Sequence, residues 1–184
     1  MTRYPIQTAD TAPDGARQAL AALKEAFGLV PNLAATMANS PPLVNSFVAA
    51  SGQFSGGTFT GGERQVLLLS NAVANRCTWA VAFHSTQALK EGVDAADVAA
   101  VRREELPAGE RLAALSRLTR TLIDKRGHLD EDDAKAFTAV GFTHVQLLEV
   151  ITGVAISAMA NYAGNVAQPP LDEPFRQQAW SRGY

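Results

Sequence analysis

The sequence has little of several features that would point to a particular class of protein. Its 184 residues include one cysteine, 18% charged residues and 7% aromatic residues. A single cysteine excludes an intramolecular disulfide, and a reducing cytoplasm is therefore the expected compartment. The charged fraction lies below the roughly 25% of ordinary globular domains. More of the surface is then available for burial against other subunits, and we expect a homo-oligomer.

The sequence also lacks a basic region and a long apolar segment. Its net charge is −2, and its Lys/Arg clusters are no longer than the pairs at 102–103 and 125–126. Binding of nucleic acid by a basic surface is therefore not expected. The N-terminal residues lack the apolar region of a signal peptide. The longest apolar stretch, at about 150–160, is too short to span a bilayer, so no membrane partner is expected.

What the sequence does contain is helical periodicity. Alanine is abundant, and Gly and Pro fall between the periodic segments. This pattern predicts an all-α fold in a single domain over residues 1–184, with a core at about 15–168 and an extended C-terminal tail at 169–184. The predicted helices cover 13–27, 31–37, a segment from 41, a segment from 61 that continues with a kink near Asn75 to Gly92, 95–103, 109–125, 130–140 and 144–167.

Two helices carry further signals. Thr60 and Glu63 match a capping box at a helix start, which assigns the Glu63 carboxylate to the cap rather than to catalysis. In the last helix, small residues recur every three or four positions at Gly153, Ser157, Ala160 and Gly164. They indicate either close packing inside the domain or a subunit interface. In the second case the tail aromatics Phe175, Trp180 and Tyr184 would dock on a neighbour.

The only cysteine and one of the three histidines share the segment Asn75-Arg-Cys-Thr-Trp-Ala-Val-Ala-Phe-His84. On one helix, Cys77 and His84 would lie on the same face but about 10.5 Å apart along the axis. They would line one groove without touching, and the position in contact with His84 would be Ala80. The other histidines, at 128 and 144, are scattered and predicted to be structural or solvent-facing. We therefore expect no metal site and no cofactor.

The order of an apolar helix, Asn-x-Cys-x-aromatic and then His84, followed by Gly92-Val-Asp, resembles the alkylhydroperoxidase D and carboxymuconolactone decarboxylase family. The peroxidase-related subgroup is the most similar. Further segments that fit the pattern are 27–32, 38–41, 141–143 and 161–165, so the resemblance covers about residues 15–172. It implies an AhpD-like helical bundle that forms oligomers. It also implies an antioxidant peroxidase function, with a hydroperoxide as substrate and an external thiol as reductant.

The chain departs from the family pattern at two positions. Redox members of the family have Cys-x-x-Cys, a His four residues later, and a Glu twelve residues before the first Cys. Cys77 and His84 match this pattern, but Ala80 replaces the second Cys and Gln65 replaces the Glu. Alanine has no redox chemistry, and a neutral amide cannot accept a proton at pH 7. A two-thiol cycle therefore cannot operate within this chain.

Three functional hypotheses remain open. In the first, Cys77 is a redox thiol and His84 accepts or donates its proton. Gln65 is then a hydrogen-bonding remnant of the proton relay, and Trp79 lines a pocket beside Ala80. In the second, His84 performs acid–base chemistry on a small carboxylic acid or lactone, and Cys77 is a bystander. In the third, the chain is a non-catalytic ligand-binding or assembly subunit, in which Cys77 packs as a small apolar residue.

Overall fold

The computed structural model of this protein describes residues 4–181, which form nine α-helices, one 3-10 helix and no strand. The predicted all-α fold is therefore confirmed. The α-helices are α1 Asp14–Phe27, α2 Asn32–Met37, α3 Pro41–Ser55, α4 Gly61–Ala74, α5 Thr78–Lys90, α6 Ala95–Arg102, α7 Glu110–Asp124, α8 Glu131–Thr138 and α9 His144–Ala167. The 3-10 helix spans Glu173–Gln178.

Local capping chemistry sets several of the helix boundaries. The predicted box of Thr60 and Glu63 is present at the start of α4, where each side chain bonds the other residue's backbone N–H. Equivalent boxes begin α8 and α9. At its other end, α1 stops at Gly28, whose φ of 75° is left-handed and therefore favours glycine. The sequence encodes these boundaries locally.

The prediction of one kinked helix from 61 to 92 is wrong. The chain forms two helices, because Arg76 takes a left-handed φ of 54° between them and the Cys77 N–H bonds back to the carbonyl of Ala72. The second helix then returns alongside the first. A Cβ placed on Gly62, at the start of α4, would lie 3.1 Å from Val93 just beyond the end of α5. Helices α4 and α5 therefore form an antiparallel hairpin.

Helix α4 occupies the centre of the bundle. One apolar cluster, built mainly from α1, α2, α3 and α5, includes Val66 and Leu69 of α4. A second cluster, on the side of α7, α8 and the first half of α9, includes Leu67. Because α4 contributes to both clusters, its side chains have fixed surroundings over the whole length of the helix. The residues that α4 presents to α5 are positioned by this packing.

Helix α9 packs its small residues against the domain. A Cβ on Gly153 would lie 2.5 Å from Leu67, and one on Gly164 would lie 2.7 Å from the Cys77 sulfur. The small residues of α9 therefore allow close packing inside the domain, the first of the two predicted alternatives.

Helix α9, with 24 residues and an 18-residue segment of mean hydropathy 1.3, does have the length and composition to cross a bilayer. The same properties are typical of a core helix in a helical bundle, and the face of α9 with Gly153 and Gly164 packs against Leu67 and Cys77.

The C-terminal segment is not wholly extended as predicted. It includes the 3-10 helix, and Phe175 is buried against the rings of Trp79 and Phe83. The indole N–H of Trp180 donates to the carbonyl of Arg102 at 3.2 Å. These two aromatic residues therefore pack on their own domain. Tyr184 lies outside the described residues.

Candidate functional site

The α4–α5 hairpin brings two of the predicted site residues together. Nδ1 of His84 lies 2.9 Å from Oε1 of Gln65, although 19 positions separate them in the sequence. On one straight helix they would be about 28 Å apart. Both side chains keep part of their surface accessible. The turn at Asn75–Cys77 therefore creates this pair, which a continuous helix would have kept apart.

His84 is a neutral imidazole at physiological pH. Although part of its surface is accessible, burial among the surrounding protein atoms lowers its pKa from the usual 6.5 to about 3. Gln65 carries no charge that would stabilise an imidazolium. The amide offers both an acceptor oxygen and N–H donors, so it is compatible with either neutral tautomer of the ring. The pair is suited to hydrogen bonding rather than to proton abstraction by a strong base.

Cys77 has a different environment, at the first turn of α5. It is the N-cap residue, and although its side chain makes no capping hydrogen bond, the backbone N–H groups of Ala80 and Trp79 act to lower the pKa of its thiol. These N–H groups favour a thiolate, as does the positive end of the helix dipole. The residue is only 1% exposed, however, and burial outweighs these effects and raises the thiol pKa. At neutral pH Cys77 is therefore held mainly as the thiol.

The sulfur of Cys77 packs against α9. It lies against Gly164, where an added Cβ would approach it to 2.7 Å and Leu33 to 3.4 Å. No hydrogen bond joins the side chains of Cys77 and His84. Ala80, one turn before His84, is buried. Cys77 begins its helix and packs on Gly164 of α9, whereas His84 contacts Gln65 of α4.

Trp79 is an anchor of the core. Its ring stacks on Phe83 at a centroid distance of 5.2 Å, and its indole N–H donates to Oδ2 of Asp172 at 2.9 Å. Asp172 also accepts the backbone N–H of Asn32 at the start of α2. Burial raises the pKa of this carboxyl group, although the two N–H donors act against that shift. Sequence reasoning missed Asp172, since no local signal links it to a residue 93 positions away.

The other titratable candidates lie outside this site. Burial would raise the pKa of Glu63, but bonds from Thr60 and the ion pair with Arg111 outweigh it and lower the pKa. Its predicted capping role is confirmed. The histidines at 128 and 144 are exposed, as expected for solvent-facing side chains. Within residues 4–181 no three His, Cys, Asp or Glu side chains gather in a way that could hold a metal ion.

An apolar cleft of about 530 Å³ lies between α2, α3 and α9, away from these residues. Met37, Leu43, Met159 and Tyr162 are among its lining residues. Neither Cys77 nor His84 contributes to it. The cleft and the Gln65–His84 pair are therefore separate features of the surface.

The sequence model of the carboxymuconolactone decarboxylase family matches residues 41–123. This segment contains the α4–α5 hairpin with Gln65, Cys77 and His84. A comparison with curated protein sequences gives no match.

Solved structures similar to this one share its fold. A peroxidase-related protein with an alkylhydroperoxidase AhpD core from Ralstonia eutropha JMP134 has a TM-score of 0.83 and 22% identity, covering 95% of this chain and 94% of that one. A peroxidase-related protein from Silicibacter sp. TM1040 has a TM-score of 0.77 and 17% identity, with 95% and 97% covered. A Cys-to-Ala variant of the debrominase Bmp8 in complex with 2,3,4-tribromopyrrole has a TM-score of 0.76 and 16% identity, with 95% and 94% covered.

The debrominase shows that this fold supports more than one activity, so the fold alone does not define the reaction. The family match rests on the segment that carries the site, and the structural similarity extends over nearly the whole length. Residues 41–123 match the model of the carboxymuconolactone decarboxylase family, and the chain has the AhpD-like helical fold.

Proposed function

We propose that this protein is a peroxidase-related thiol protein in which Cys77 acts alone on small hydroperoxides. The observation that carries the proposal is the position of Cys77 as the N-cap residue of α5, where the backbone N–H groups of Ala80 and Trp79 act to lower the pKa of its thiol. This arrangement stabilises the thiolate, the nucleophilic form of cysteine. The arrangement around Cys77 is present even though position 80 is an alanine and supplies no second thiol.

The reaction balances without a second cysteine in the chain. The Cys77 thiolate attacks one oxygen of the hydroperoxide, the O–O bond breaks, and Cys77 becomes a sulfenic acid while the alkoxide takes a proton from water. A first external thiol then forms a mixed disulfide with Cys77 and releases water. A second external thiol attacks that disulfide, which regenerates Cys77 and yields the oxidised reductant. Each reductive step is bimolecular, whereas a Cys-x-x-Cys pair resolves the sulfenic acid internally.

The structure supports a slow reaction rather than a fast one. The Cys77 sulfur is enclosed by Gly164 of α9, so the oxidant reaches it only when the helices move apart locally. His84, with its pKa of about 3, accepts few protons at neutral pH. The thiol proton therefore leaves to solvent, and the Gln65–His84 pair acts as a hydrogen-bonding group near the site.

The proposal is tested by the reactivity of Cys77. Excess hydroperoxide should add one oxygen atom to the intact protein, detected by mass spectrometry and trapped by a sulfenic-acid reagent, and a dithiol should reverse the addition. Cys77→Ser is the control and should consume no peroxide. The alkylation rate should rise with pH beyond the usual thiol pKa of about 8.5. A thiol that stays unoxidised in the folded protein under excess peroxide would overturn the proposal.

Restoring the missing groups provides the complementary test. The double substitution Ala80→Cys with Gln65→Glu supplies a second thiol one turn before His84 and a carboxylate beside the imidazole. We expect a reducible disulfide between Cys77 and the introduced cysteine, with faster turnover of peroxide. Ala80→Ser with Gln65→Glu is the matched control without the second thiol. Equal peroxide consumption by the two variants would show that the scaffold no longer supports the two-thiol cycle.

A second candidate is an acid–base reaction of His84 on a small carboxylic acid or lactone. The observation in its favour is that the contact of His84 with Gln65 does not involve Cys77, and that part of the ring is accessible. Such an enzyme would lose activity in His84→Ala and keep it in Cys77→Ser. A folded protein that shows neither activity would instead support the non-catalytic hypothesis.

We also propose that the protein assembles as a homo-oligomer through the outer face of α9. This face exposes five large apolar side chains, Val145, Leu148, Ile151, Tyr162 and Val166. It carries no charged residue, so a second copy of the same face can cover it without burial of charge. Light scattering should show an oligomer for the wild type and a smaller species for Leu148→Glu with Tyr162→Glu. A monomeric wild type at micromolar concentration would contradict this assembly.

A further inference from the structure

Four buried polar atoms on α3, α4 and α9 have no hydrogen-bond partner among residues 4–181. They are Ser51 Oγ, Asn71 Oδ1, Ser157 Oγ and Asn161 Nδ2. Asn71, Ser157 and Asn161 are 0%, 3% and 1% exposed. Buried polar atoms in folded proteins are nearly always hydrogen-bonded, so several without a partner require an explanation.

The packing of α4 along α9 brings three of these side chains to neighbouring levels. Near one end Gly153 lies against Leu67, and near the other Gly164 lies against Cys77. The two helices therefore run in the same direction with matching registers. Asn71, one turn after Leu67, is level with Ser157, one turn after Gly153.

Asn161 extends the same polar face by a further turn. It follows Ser157 by four residues, and Asn165, four residues later again, donates to the carbonyl of Asn75 at 2.8 Å. This bond places the flank of α9 that carries Asn161 on the side of α4. Asn71 is therefore faced by Ser157 at its own level and by Asn161 on the following turn.

Helix α3 closes the group from the other side. Phe54 approaches Gly153, and Thr58, just beyond the end of α3, bonds Glu149. Helix α3 therefore runs opposite to α9, and Ser51, one turn before Phe54, lies near the level of Ser157. Three helices thus direct unpartnered polar atoms to one region between them.

The hydrogen-bonding capacities of these atoms are complementary. Asn71 Oδ1 only accepts, Asn161 Nδ2 only donates, and the two hydroxyl groups do both. Direct bonds between them are not formed. A small molecule that both donates and accepts, and that binds about three partners, satisfies all of these requirements, and water is such a molecule.

We propose that Asn71, Ser157 and Asn161 bind ordered water between α4 and α9, beneath the Cys77 sulfur. Asn161 precedes Gly164 by three residues, which is a rise of about 4.5 Å along the helix. The site thus places a hydrated region close to an otherwise enclosed thiol. Water binding itself does not depend on whether Cys77 reacts with peroxide.

A crystal structure that resolves ordered solvent tests the site directly. We expect water within hydrogen-bonding distance of at least two of Asn71 Oδ1, Ser157 Oγ and Asn161 Nδ2. A dry site, or amide side chains bonded directly to each other, would overturn the proposal. Neither outcome bears on the peroxide reactivity of Cys77, so a failure here is distinguishable from failure of the proposed function.

A double-mutant cycle tests the site in solution. If water bridges the two amides, Asn71→Leu and Asn161→Leu each lower Tm, and the double variant loses less than the sum of the two shifts. If the site is dry, each substitution removes an unpaired polar group and leaves Tm unchanged or raised. Asn165→Leu is the control, because its exposed amide bonds Asn75 directly and should not couple to Asn71→Leu. If leucine prevents folding, Ser157→Ala combined with Asn71→Ala repeats the test with smaller side chains.

Discussion

The imidazole of His84 and the side-chain amide of Gln65 are joined at 2.9 Å across the α4–α5 hairpin. In the family pattern the position of Gln65 holds a glutamate. Because Gln65 replaces that glutamate, the contact with His84 carries no acidic group. This substitution, together with Ala80, accounts for a neutral site in a fold shared with peroxidase-related proteins.

Gln65→Glu should raise the pKa of His84 from about 3 by roughly 1–3 units, because a carboxylate beside the ring stabilises the imidazolium. Titration of the His84 ring by NMR measures this shift. Gln65→Leu removes the hydrogen bond without adding charge and should not raise the pKa. An unchanged pKa in Gln65→Glu would mean that the two side chains do not stay in contact.

The buried His84 should make stability depend on pH below neutrality. The unfolded chain binds a proton near pH 6.5, whereas the folded protein does so only near pH 3. The contribution of His84 is therefore complete above pH 6.5 and is lost as the pH falls from 6.5 towards 3. The slope is at most about 1.4 kcal/mol per pH unit, and less here because part of the ring is accessible.

Urea unfolding of wild type and His84→Gln across this pH range isolates that contribution. The difference in unfolding free energy between the two proteins should be constant above neutral pH and should change progressively in acid. Parallel curves down to pH 4 would contradict the low pKa. The carboxyl groups titrate in both proteins, so their contributions cancel in the difference between the two unfolding free energies.

Gly164→Ala should destabilise the protein by about 1–3 kcal/mol, since its Cβ would lie 2.7 Å from the Cys77 sulfur. Combination with Cys77→Ala should recover part of the loss by removing the sulfur. Urea unfolding of the single and double variants measures both effects. Gly52→Ala, in the middle of α3, is the control. Its added Cβ would have no contact within 4 Å, so we expect the free energy of unfolding to rise by about 0.5–1 kcal/mol. Additive effects at 77 and 164 would show that the two residues are not in contact.

Asp172→Ala should destabilise the protein by about 1–3 kcal/mol, because it leaves the N–H groups of Trp79 and Asn32 without their acceptor. Asp172→Asn keeps an acceptor oxygen and should lose less. Chemical unfolding followed by Trp fluorescence measures the change. The neighbouring Glu173→Ala removes only an exposed ion pair with Arg176 and should have almost no effect. A similar loss in both alanine variants would contradict the anchoring role of Asp172.

Helix ends were predictable wherever a local signal exists. Thr60 with Glu63, Gly28 and Thr143 act on their own neighbours through capping bonds or a left-handed φ, and the structure has these boundaries where the sequence places them. The break between α4 and α5 was not predicted. Arg76 is not a residue that favours a left-handed φ, so its conformation depends on packing rather than on propensity.

The sequence by itself determined the helical fold, the family resemblance, and the departures from the family pattern at Ala80 and Gln65, because these depend on residue type and spacing. Only the tertiary structure decided which groups meet. The reversal of the chain at Arg76 brings His84 onto Gln65, while the start of α5 directs Cys77 onto Gly164 of α9. Contacts between distant segments are selected by packing, so sequence spacing alone could not show that the thiol and the imidazole have separate surroundings.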